Sequence, residues 1–456
     1  MRVVLAVAGM AVVASAGTAV PAMAAAAPGA YAFGYNPSGE LGDGTRGQQI
    51  LPVPVSGLPG TVRQLSAGAA TSAALLSDGT VWTWGDDTFG ALGHGTSGGS
   101  VTTPQRVAGL SGITQIAVGT GDRDVYAVRS DGTLWAWGDN GAGELGNGTT
   151  VSHFSPVQVP GLTGISQVSA GPDYALALRS DGTVRAWGNN SNGYLGDGTV
   201  TSRLVPVQVR GLTGISQVSA SGASFAVRSD GTLFAWGLNS DGVLGMQGGF
   251  FVTPAAVPGL SGVRQVASNG TATLAVAGTG SRVWAWGDNT HGVLGDGTTT
   301  SRLNPEPLSL SGITQIATSI GWNSAAIRSD GTLWTWGDNS DGELGIGNDS
   351  TLWIPVPVQV TALAGVSQVS VGIRDVLAIG SPTFTFVPDL SGDTTAQAGQ
   401  TLQAAGLVRG AVTGVVDNSC NNIGTVIRQT PVAGTRVSLG SAVSITIGTR
   451  PAHPCP

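Results

Sequence analysis

One stretch of sequence, LWAWGDNGAGELGNGT from Leu134, constrains the fold because close copies of it return along the chain. In each copy a glycine follows a phenylalanine or a tryptophan, at Gly34, Gly85, Gly138, Gly188, Gly237, Gly287 and Gly337. Neighbouring positions are 49 to 53 residues apart. Such a period indicates a repeat architecture, in which each unit buries its apolar face against the next unit.

The repeated unit has the pattern of four short strands. The unit that begins at Ile113 contains three alternating apolar runs, and Asp131 and Gly132 separate the second run from the third. Asp-Gly between alternating runs is a strong hairpin signal, because both turn residues must accept a positive φ. A fourth run, such as PVQV from Pro156, follows the repeated stretch that LWAWGDNGAGELGNGT exemplifies, which we call the signature. Four strands per unit predict the blade of a β-propeller.

The ends of the repeated region are complementary halves of one unit. After Ala364 the chain supplies only the first half of a unit, and residues 31–34 supply part of the missing half. Pairing of the two halves would close a ring and leave no open sheet edge. We therefore predict an all-β, seven-bladed propeller of four-stranded blades over residues 30–380, followed by a linker at 381–386.

The N-terminus has the pattern of a secretory signal peptide over residues 1–24. An arginine at position 2 precedes an apolar run over residues 3–20, and an A-x-A site ends at Ala24. A membrane anchor is the alternative, but Gly9, Ser15 and Gly17 interrupt the run. We expect an exported protein, secreted or cell-wall associated after cleavage near Ala24, with no membrane span in the remainder.

The signature, the SDGT turn and the period together resemble the regulator of chromosome condensation repeat family, whose members are seven-bladed propellers. The resemblance covers about residues 30–380 and shows two departures. Family members often carry histidine before the second strand, where this chain has Thr71, Tyr174, Ala223, Trp322 or Asp375. The nuclear members exchange nucleotide on the GTPase Ran, and the secretory signal argues against that activity here.

Residues 387–448 differ in composition and form a second predicted domain, with a tail at 449–456. The segments VPDL, AGL and GTVIRQTPVAGTRV resemble the PASTA domain, a small α+β module of penicillin-binding proteins and bacterial serine/threonine kinases. The resemblance implies contact with peptidoglycan fragments or a purely structural role. The only two cysteines, Cys420 and Cys455, lie in this module and its tail. In an exported protein such a pair favours a disulfide, and two free thiols are the alternative.

Composition and residue usage argue against several chemistries. The formal net charge is −7 and no basic run occurs, so nucleic acid is not an expected partner. All 20 basic residues are arginine, which excludes catalysis by a lysine. The histidines, His94, His153, His291 and His453, lie in different repeats and the tail, so we predict no metal site. We also predict no cofactor and no catalytic residue.

The loop between the first two strands varies from unit to unit, whereas the signature is constant. Equivalent loops of a propeller lie on one face, and variation on a constant scaffold is typical of recognition. The predicted partner-binding residues are Asp122, Arg123, Asp124, Asp173, Tyr174, Trp322, Asn323, Arg374 and Asp375, with Phe250 and Phe251 as a secondary contact. An unremarkable solvent-facing loop is the alternative.

Tryptophans inside the signature are predicted to pack within and between blades: Trp82, Trp84, Trp135, Trp137, Trp284, Trp286, Trp334 and Trp336. The aromatic Trp353, beyond the signature, is also predicted to be a packing residue.

These observations favour an exported, non-catalytic scaffold that binds a secreted or cell-surface protein, or the cell wall, through one face. By resemblance, a secreted inhibitor of β-lactamase is an alternative. An enzyme acting on glycan or peptidoglycan is another, supported only by the aspartates and arginines of the variable loops. Nucleotide exchange is the last alternative.

Overall fold

The computed structural model describes residues 28–121 and 123–452. These residues divide into two compact units, 28–384 and 385–452. The predicted signal peptide, Asp122 and Cys455 lie outside the described residues. Within the described part of the chain, no helix is long and apolar enough to cross a membrane.

The first unit contains seven antiparallel sheets of four strands each, which we number as blades 1 to 7. Blades 1 to 6 each contain four consecutive strands. In blades 1 to 3 the strands are β3 Val62–Ala67, β4 Thr71–Leu76, β5 Val81–Asp86, β6 Ser100–Arg106, β7 Ile113–Val118, β8 Asp124–Arg129, β9 Leu134–Gly138, β10 His153–Gln158, β11 Ile165–Ala170, β12 Tyr174–Arg179, β13 Val184–Gly188 and β14 Arg203–Gln208. In blades 4 to 6 they are β15 Ile215–Ala220, β16 Ser224–Arg228, β17 Leu233–Leu238, β18 Phe250–Ala256, β19 Val263–Ser268, β20 Ala272–Ala277, β21 Arg282–Gly287, β22 Arg302–Pro307, β23 Ile313–Thr318, β24 Asn323–Arg328, β25 Leu333–Asn339 and β26 Ser350–Gln359. A short 3₁₀ helix, Ser240–Gly242, lies between β17 and β18.

Blade 7 is assembled from both ends of the repeated region. Its strands are β1 Gly29–Gly34, β2 Gln49–Pro54, β27 Leu363–Val371 and β28 Asp375–Pro382, in the order β2-β1-β28-β27. β1 pairs antiparallel with β28, with Tyr31 opposite Ala378 and Gly34 opposite Asp375. The predicted closure of a seven-bladed ring by two half-blades is confirmed.

The Asp-Gly turns form the predicted hairpins between the second and third strands. In blade 2 the Asp131 carboxylate accepts hydrogen bonds from the backbone N–H and the hydroxyl of Thr133, at 3.0 and 2.7 Å. Gly132 has a φ of 79°, and a Cβ atom there would lie 2.8 Å from the Cα atom of Gly164. Glycine is required at this position because both the left-handed backbone and the close neighbour exclude a side chain.

The second signature tryptophan of blades 1 to 6 connects neighbouring blades. Each of these indoles is fully buried, and its Nε1–H donates to a backbone carbonyl in the signature of the preceding blade, over 2.6 to 2.8 Å. The residues are Trp84, Trp137, Trp187, Trp236, Trp286 and Trp336. The first signature tryptophans, Trp82, Trp135, Trp284 and Trp334, are partly buried against the same cores. The predicted role of these tryptophans in packing is confirmed.

A ring of glutamines joins the first strands of all seven blades. Each glutamine makes two hydrogen bonds to one residue of the next blade. Its side-chain N–H donates to the backbone carbonyl of that residue, and its side-chain oxygen accepts the backbone N–H of that residue, over 2.7 to 3.2 Å. The residues are Gln64, Gln115, Gln167, Gln217, Gln265, Gln315 and Gln368, which we call the glutamine ring. This ring was not among the predicted features, although glutamine is the third residue of the first strand in nearly every repeat.

The second unit is a small α+β domain. It contains the helix α1 Thr395–Ala404 and the strands β30 Val408–Val416, β31 Val426–Thr430, β32 Arg436–Ser438 and β33 Ala442–Thr449. The short strand β29 Phe384–Phe386 begins at the last residue of the first unit. β33 pairs parallel with β30 and antiparallel with β31, and β29 pairs with β32. Thr394 and Gln397 form a capping box at the start of α1, and Leu402 and Leu407 are buried in the core of the domain. Cys420 is not a free thiol, but the predicted Cys420–Cys455 bridge stays a prediction.

Candidate functional site

Two loops of each blade lie at the same end of its sheet. We call the segment between the first and second strands the AB loop, and the segment between the third and fourth strands the signature loop. The residue after the signature glycine donates its backbone N–H to a carbonyl of the AB loop, as from Asn189 to Asp173 at 2.9 Å and from Asp338 to Trp322 at 3.1 Å. The AB and signature loops therefore share one face of the propeller, which we call the loop face.

The AB loops of neighbouring blades contact one another on this face. The N–H of Ile373 in blade 7 donates to the carbonyl of Gly68 in blade 1 at 3.1 Å. A Cβ atom on Gly222 would lie 2.8 Å from the Cα atom of Gly270, and one on Gly321 would overlap the Ile373 carbonyl. The backbones approach so closely that only glycine fits at these two contacts.

Four of the predicted partner-binding residues are buried, and we correct that expectation. Asp124, Tyr174, Asn323 and Asp375 are at most 2% exposed. Each is the first residue of the second strand of its blade, and its side chain folds inward instead of pointing away from the face. The Tyr174 ring, for example, covers the position where Gly171 has no Cβ, and its hydroxyl donates to the carbonyl of Ala223 at 2.9 Å. These residues support the loops and do not form the surface.

Asp124 belongs to a buried hydrogen-bonded chain. The Tyr126 hydroxyl lies within hydrogen-bond distance of both the Asp124 carboxyl group and the backbone carbonyl of Glu144, at 2.5 and 2.6 Å. A phenol has one hydrogen and cannot donate to both. Burial raises the pKa of Asp124 well above its usual range. A protonated Asp124 that donates from Oδ2 to Tyr126, which in turn donates to Glu144, accounts for both short contacts, whereas Asp124 Oδ1 is buried without a hydrogen-bond partner among the described residues.

The two predicted arginines are on the surface, and each is held by a carboxylate and an aromatic ring. Arg123 is 46% exposed in its side chain, pairs with Asp139 at 3.8 Å and lies over the Phe89 ring at 4.8 Å. Arg374 is 52% exposed in its side chain and pairs with Asp341 at 3.3 Å. Its guanidinium group lies 5.5 Å from the ring centre of Tyr35. These contacts present both guanidinium groups to solvent in restricted positions.

Trp322 is the third exposed member of the predicted set, and it lies in an aromatic cluster. Its ring stacks on His291 with a centroid distance of 4.0 Å and an interplanar angle of 8°, and Trp353 meets His291 edge-on at 4.8 Å. Trp322 is 38% exposed and Trp353 is 43% exposed. Trp353 packs on His291 as expected but also contributes to the surface. The repeat pattern does not predict this cluster, because His291 belongs to blade 5 and both tryptophans belong to blade 6.

The remaining predicted contacts have different environments. Asp173 lines a cavity of about 120 Å³ with Asn192 and Tyr194. Phe250 is 54% exposed, whereas Phe251 packs against the cores of blades 3 and 4. Phe251 is therefore at least partly a structural residue. Among residues 28–121 and 123–452, no group of three side chains is arranged to hold a metal ion.

Comparison with known proteins identifies both units. The family model described as RCC1-like domain matches residues 3–254, and the model of the regulator of chromosome condensation (RCC1) repeat matches residues 281–324 and 330–379. The PASTA domain model matches residues 385–449. The chain is thus an RCC1-repeat propeller with a C-terminal PASTA domain.

The chain is similar to parts of two curated proteins. It is 38% identical to human E3 ubiquitin-protein ligase HERC2 over 149 residues, which are 32% of this chain and 3% of that protein. It is 35% identical to the Ultraviolet-B receptor UVR8 of Arabidopsis thaliana over 144 residues, which are 31% of this chain and 32% of that protein. The matched segments thus span a small part of HERC2 and about a third of UVR8.

Solved structures share the fold. The crystal structure of human WBSCR16 has a TM-score of 0.70 and 22% identity, and the match covers 78% of this chain and all of that one. The structure of Prp20p from Saccharomyces cerevisiae has a TM-score of 0.69 and 21% identity, and covers 83% of this chain and 94% of that one. Because the RCC1-like model matches more than half of the chain, the protein belongs to the family with an RCC1-like domain.

Proposed function

We propose that this protein is a non-catalytic binding protein of the bacterial cell envelope. In this proposal the propeller holds a protein partner on its loop face, and the PASTA domain contacts peptidoglycan. The observation that carries the proposal is the set of exposed, restrained side chains, Arg123, Trp322 and Arg374, on loops that vary over a constant scaffold. Tryptophan and arginine are the residues most often found at the energetic centres of protein interfaces.

The match to the PASTA domain supports the second half of the proposal. That domain occurs in proteins that contact peptidoglycan, and it implies a cell-envelope context for this chain. Secretion by the predicted signal peptide agrees with that location.

A pull-down with purified sacculi and secreted proteins separates the two binding activities. The full chain is compared with a chain that ends at Phe384, where the first unit ends. We expect only the full chain to sediment with sacculi, and both chains to retain the same protein partner. Release of soluble glycan by the purified protein would contradict a non-catalytic role, and an assay of β-lactamase inhibition decides whether that enzyme is the partner.

Substitution of the surface arginines tests the use of the loop face. The double substitution Arg123→Ala with Arg374→Ala is expected to weaken capture of the protein partner at least about tenfold. Arg264→Ala, outside the loop face and in contact with Ser281, is the matched control. Equal capture by all three proteins would show that the partner binds elsewhere.

A further inference from the structure

We call the boundary between two neighbouring blades a seam. We propose that the seam between blades 5 and 6 on the loop face binds an arginine-bearing segment of the partner protein. The site consists of His291, Trp322 and Trp353, which we call the aromatic cluster, together with Asp288 and Asp338. This inference rests on the proposed function, because it names the chemistry of the partner that the loop face holds.

The aromatic cluster offers ring surface of the kind that attracts a cation. Trp322 and Trp353 remain 38% and 43% exposed although both contact His291. A guanidinium group over the face of an indole is attracted by the ring quadrupole and stacks on it. The side chain of Ile320, which is 36% exposed, adds apolar surface from the same AB loop as Trp322.

Two aspartates in the signatures of blades 5 and 6 add acidic groups to this part of the loop face. The Asp338 backbone N–H donates to the Trp322 carbonyl at 3.1 Å, and Asp288 is connected to His291 through the Thr290 hydroxyl. In the described part of the chain no arginine pairs with Asp288 or Asp338. The nearby Arg374 is paired with Asp341 and lies over Tyr35, so its charge is compensated. A cationic partner is the complementary one.

Hydrogen bonding orients the His291 ring. The Thr290 hydroxyl donates to Asp288 at 3.1 Å and lies 3.0 Å from His291 Nδ1. Because its one hydrogen is used, the hydroxyl accepts the Nδ1–H of His291. The ring that supports Trp322 is therefore fixed before a ligand arrives, which lowers the entropy lost on binding.

The backbone also holds Trp322 in place. Its φ of 63° lies in the left-handed region that favours glycine, and its N–H donates to the Ser319 carbonyl at 3.1 Å. The preceding Gly321 lies against the Ile373 carbonyl of blade 7. A large residue in an unfavourable conformation, on an exposed loop, points to a role outside local stability.

The corresponding seams between blades 2, 3, 4 and 5 carry no aromatic cluster. At the positions of His291 and Trp322 they have Ala142 with Asp173, Asn192 with Gly222, and Asp241 with Thr271. The seam between blades 1 and 2 has Phe89 and Phe154 at the positions of His291 and Trp353, but Arg123 at the position of Trp322. Among the described residues, an indole stacked on an imidazole is found between blades 5 and 6.

Fluorescence anisotropy with labelled hexaarginine tests the inference on the full chain. Hexaglutamate and chitohexaose serve as the anionic and glycan arms, in about 150 mM salt to screen distant charges. Trp322→Gly removes the ring while suiting the left-handed backbone, and Trp353→Ala removes the second indole. We expect each to weaken hexaarginine binding about tenfold. Val151→Ala, at an apolar residue that is 63% exposed in the signature loop of blade 2 and lies outside the cluster, should leave binding unchanged.

Several outcomes overturn the inference. Hexaarginine binding that is absent, or equal in the wild type and both tryptophan variants, excludes a cation site at the cluster. Chitohexaose binding that both variants lose would make the cluster a glycan site. If Trp322→Gly still captures the protein partner while the double arginine substitution does not, this inference fails and the proposed function stands. If no variant or wild-type protein captures a partner, the proposed function itself fails.

Discussion

At the scale of single residues, the signature glutamates are buried acids that form part of the scaffold. Glu40, Glu144 and Glu343 are at most 1% exposed, and each accepts the backbone N–H of the residue two positions earlier, over 2.7 to 2.8 Å. Burial raises the pKa of Glu40 and of Glu343 to about 7, and it also raises that of Glu144. These groups bind protons more tightly in the folded chain than in the unfolded one.

The free energy of unfolding should therefore fall as the pH rises. A group whose pKa is raised on folding stabilises the protein below its unfolded pKa, and this contribution is lost as the pH rises through the folded pKa. For Glu343 the loss is expected between about pH 4.5 and about pH 7. Glu343→Gln should remove about 1 to 3 kcal/mol of this pH dependence, measured by urea unfolding at pH 5 and pH 8. Glu306→Gln, in the exposed part of β22, is the control, and an unchanged slope for Glu343→Gln would contradict the expectation.

At the scale of the element, one asparagine side chain organises each signature loop. In six blades its Oδ1 accepts the N–H of the signature leucine, and its Nδ2 donates to carbonyls nine or eleven residues later. The residues are Asn36, Asn140, Asn190, Asn239, Asn289 and Asn339. Blade 1 has Asp87 at this position, which accepts from Leu92 at 3.1 Å but carries no amide to donate.

Asp87→Asn should therefore stabilise the propeller. Asp87 is 5% exposed and burial raises its pKa, so the change replaces a buried acid by an amide. From the spacing of nine and eleven residues in the other blades, we expect the new Nδ2 group to donate to the carbonyl of Thr96 or of Gly98. We expect a gain of about 1 kcal/mol in the free energy of unfolding. The reverse change, Asn190→Asp in blade 3, should destabilise by a similar amount. A loss of stability in Asp87→Asn would show that the longer loop of blade 1 follows a different path.

At the scale of the whole molecule, the glutamine ring connects the first strands of all neighbouring blades by paired hydrogen bonds. Gln368 of blade 7 spans the last seam, donating to the carbonyl of Leu65 and accepting its N–H, both at 2.7 Å. Gln217 makes the same pair of bonds with Val266 in the middle of the chain, at 3.2 and 3.1 Å. The closing blade is therefore joined to blade 1 by the same pair of hydrogen bonds that joins blades in the middle of the chain.

Loss of one glutamine should weaken the whole ring. Gln368→Leu leaves a backbone N–H and a backbone carbonyl without partners, at a cost of about 1 to 3 kcal/mol for each buried group. The change should lower the thermal midpoint of the propeller, measured by calorimetry, and Gln217→Leu should lower it by a similar amount. A much smaller effect for Gln368→Leu would mean that water or another side chain completes the last seam.

The sequence by itself determined the blade count, the closing pair of half-blades and the packing role of the signature tryptophans. These features depend on patterns that recur in every repeat, so hairpin turns and strand alternation specify them locally. The tertiary structure alone decided which variable residues reach the surface. Asp124 and Tyr174 turn inward over glycines of their own loops, whereas Trp322 stays outside and meets His291 from the neighbouring blade. A sequence pattern describes each repeat separately, but burial and the aromatic cluster arise where two blades meet, at distances along the chain that no local pattern connects.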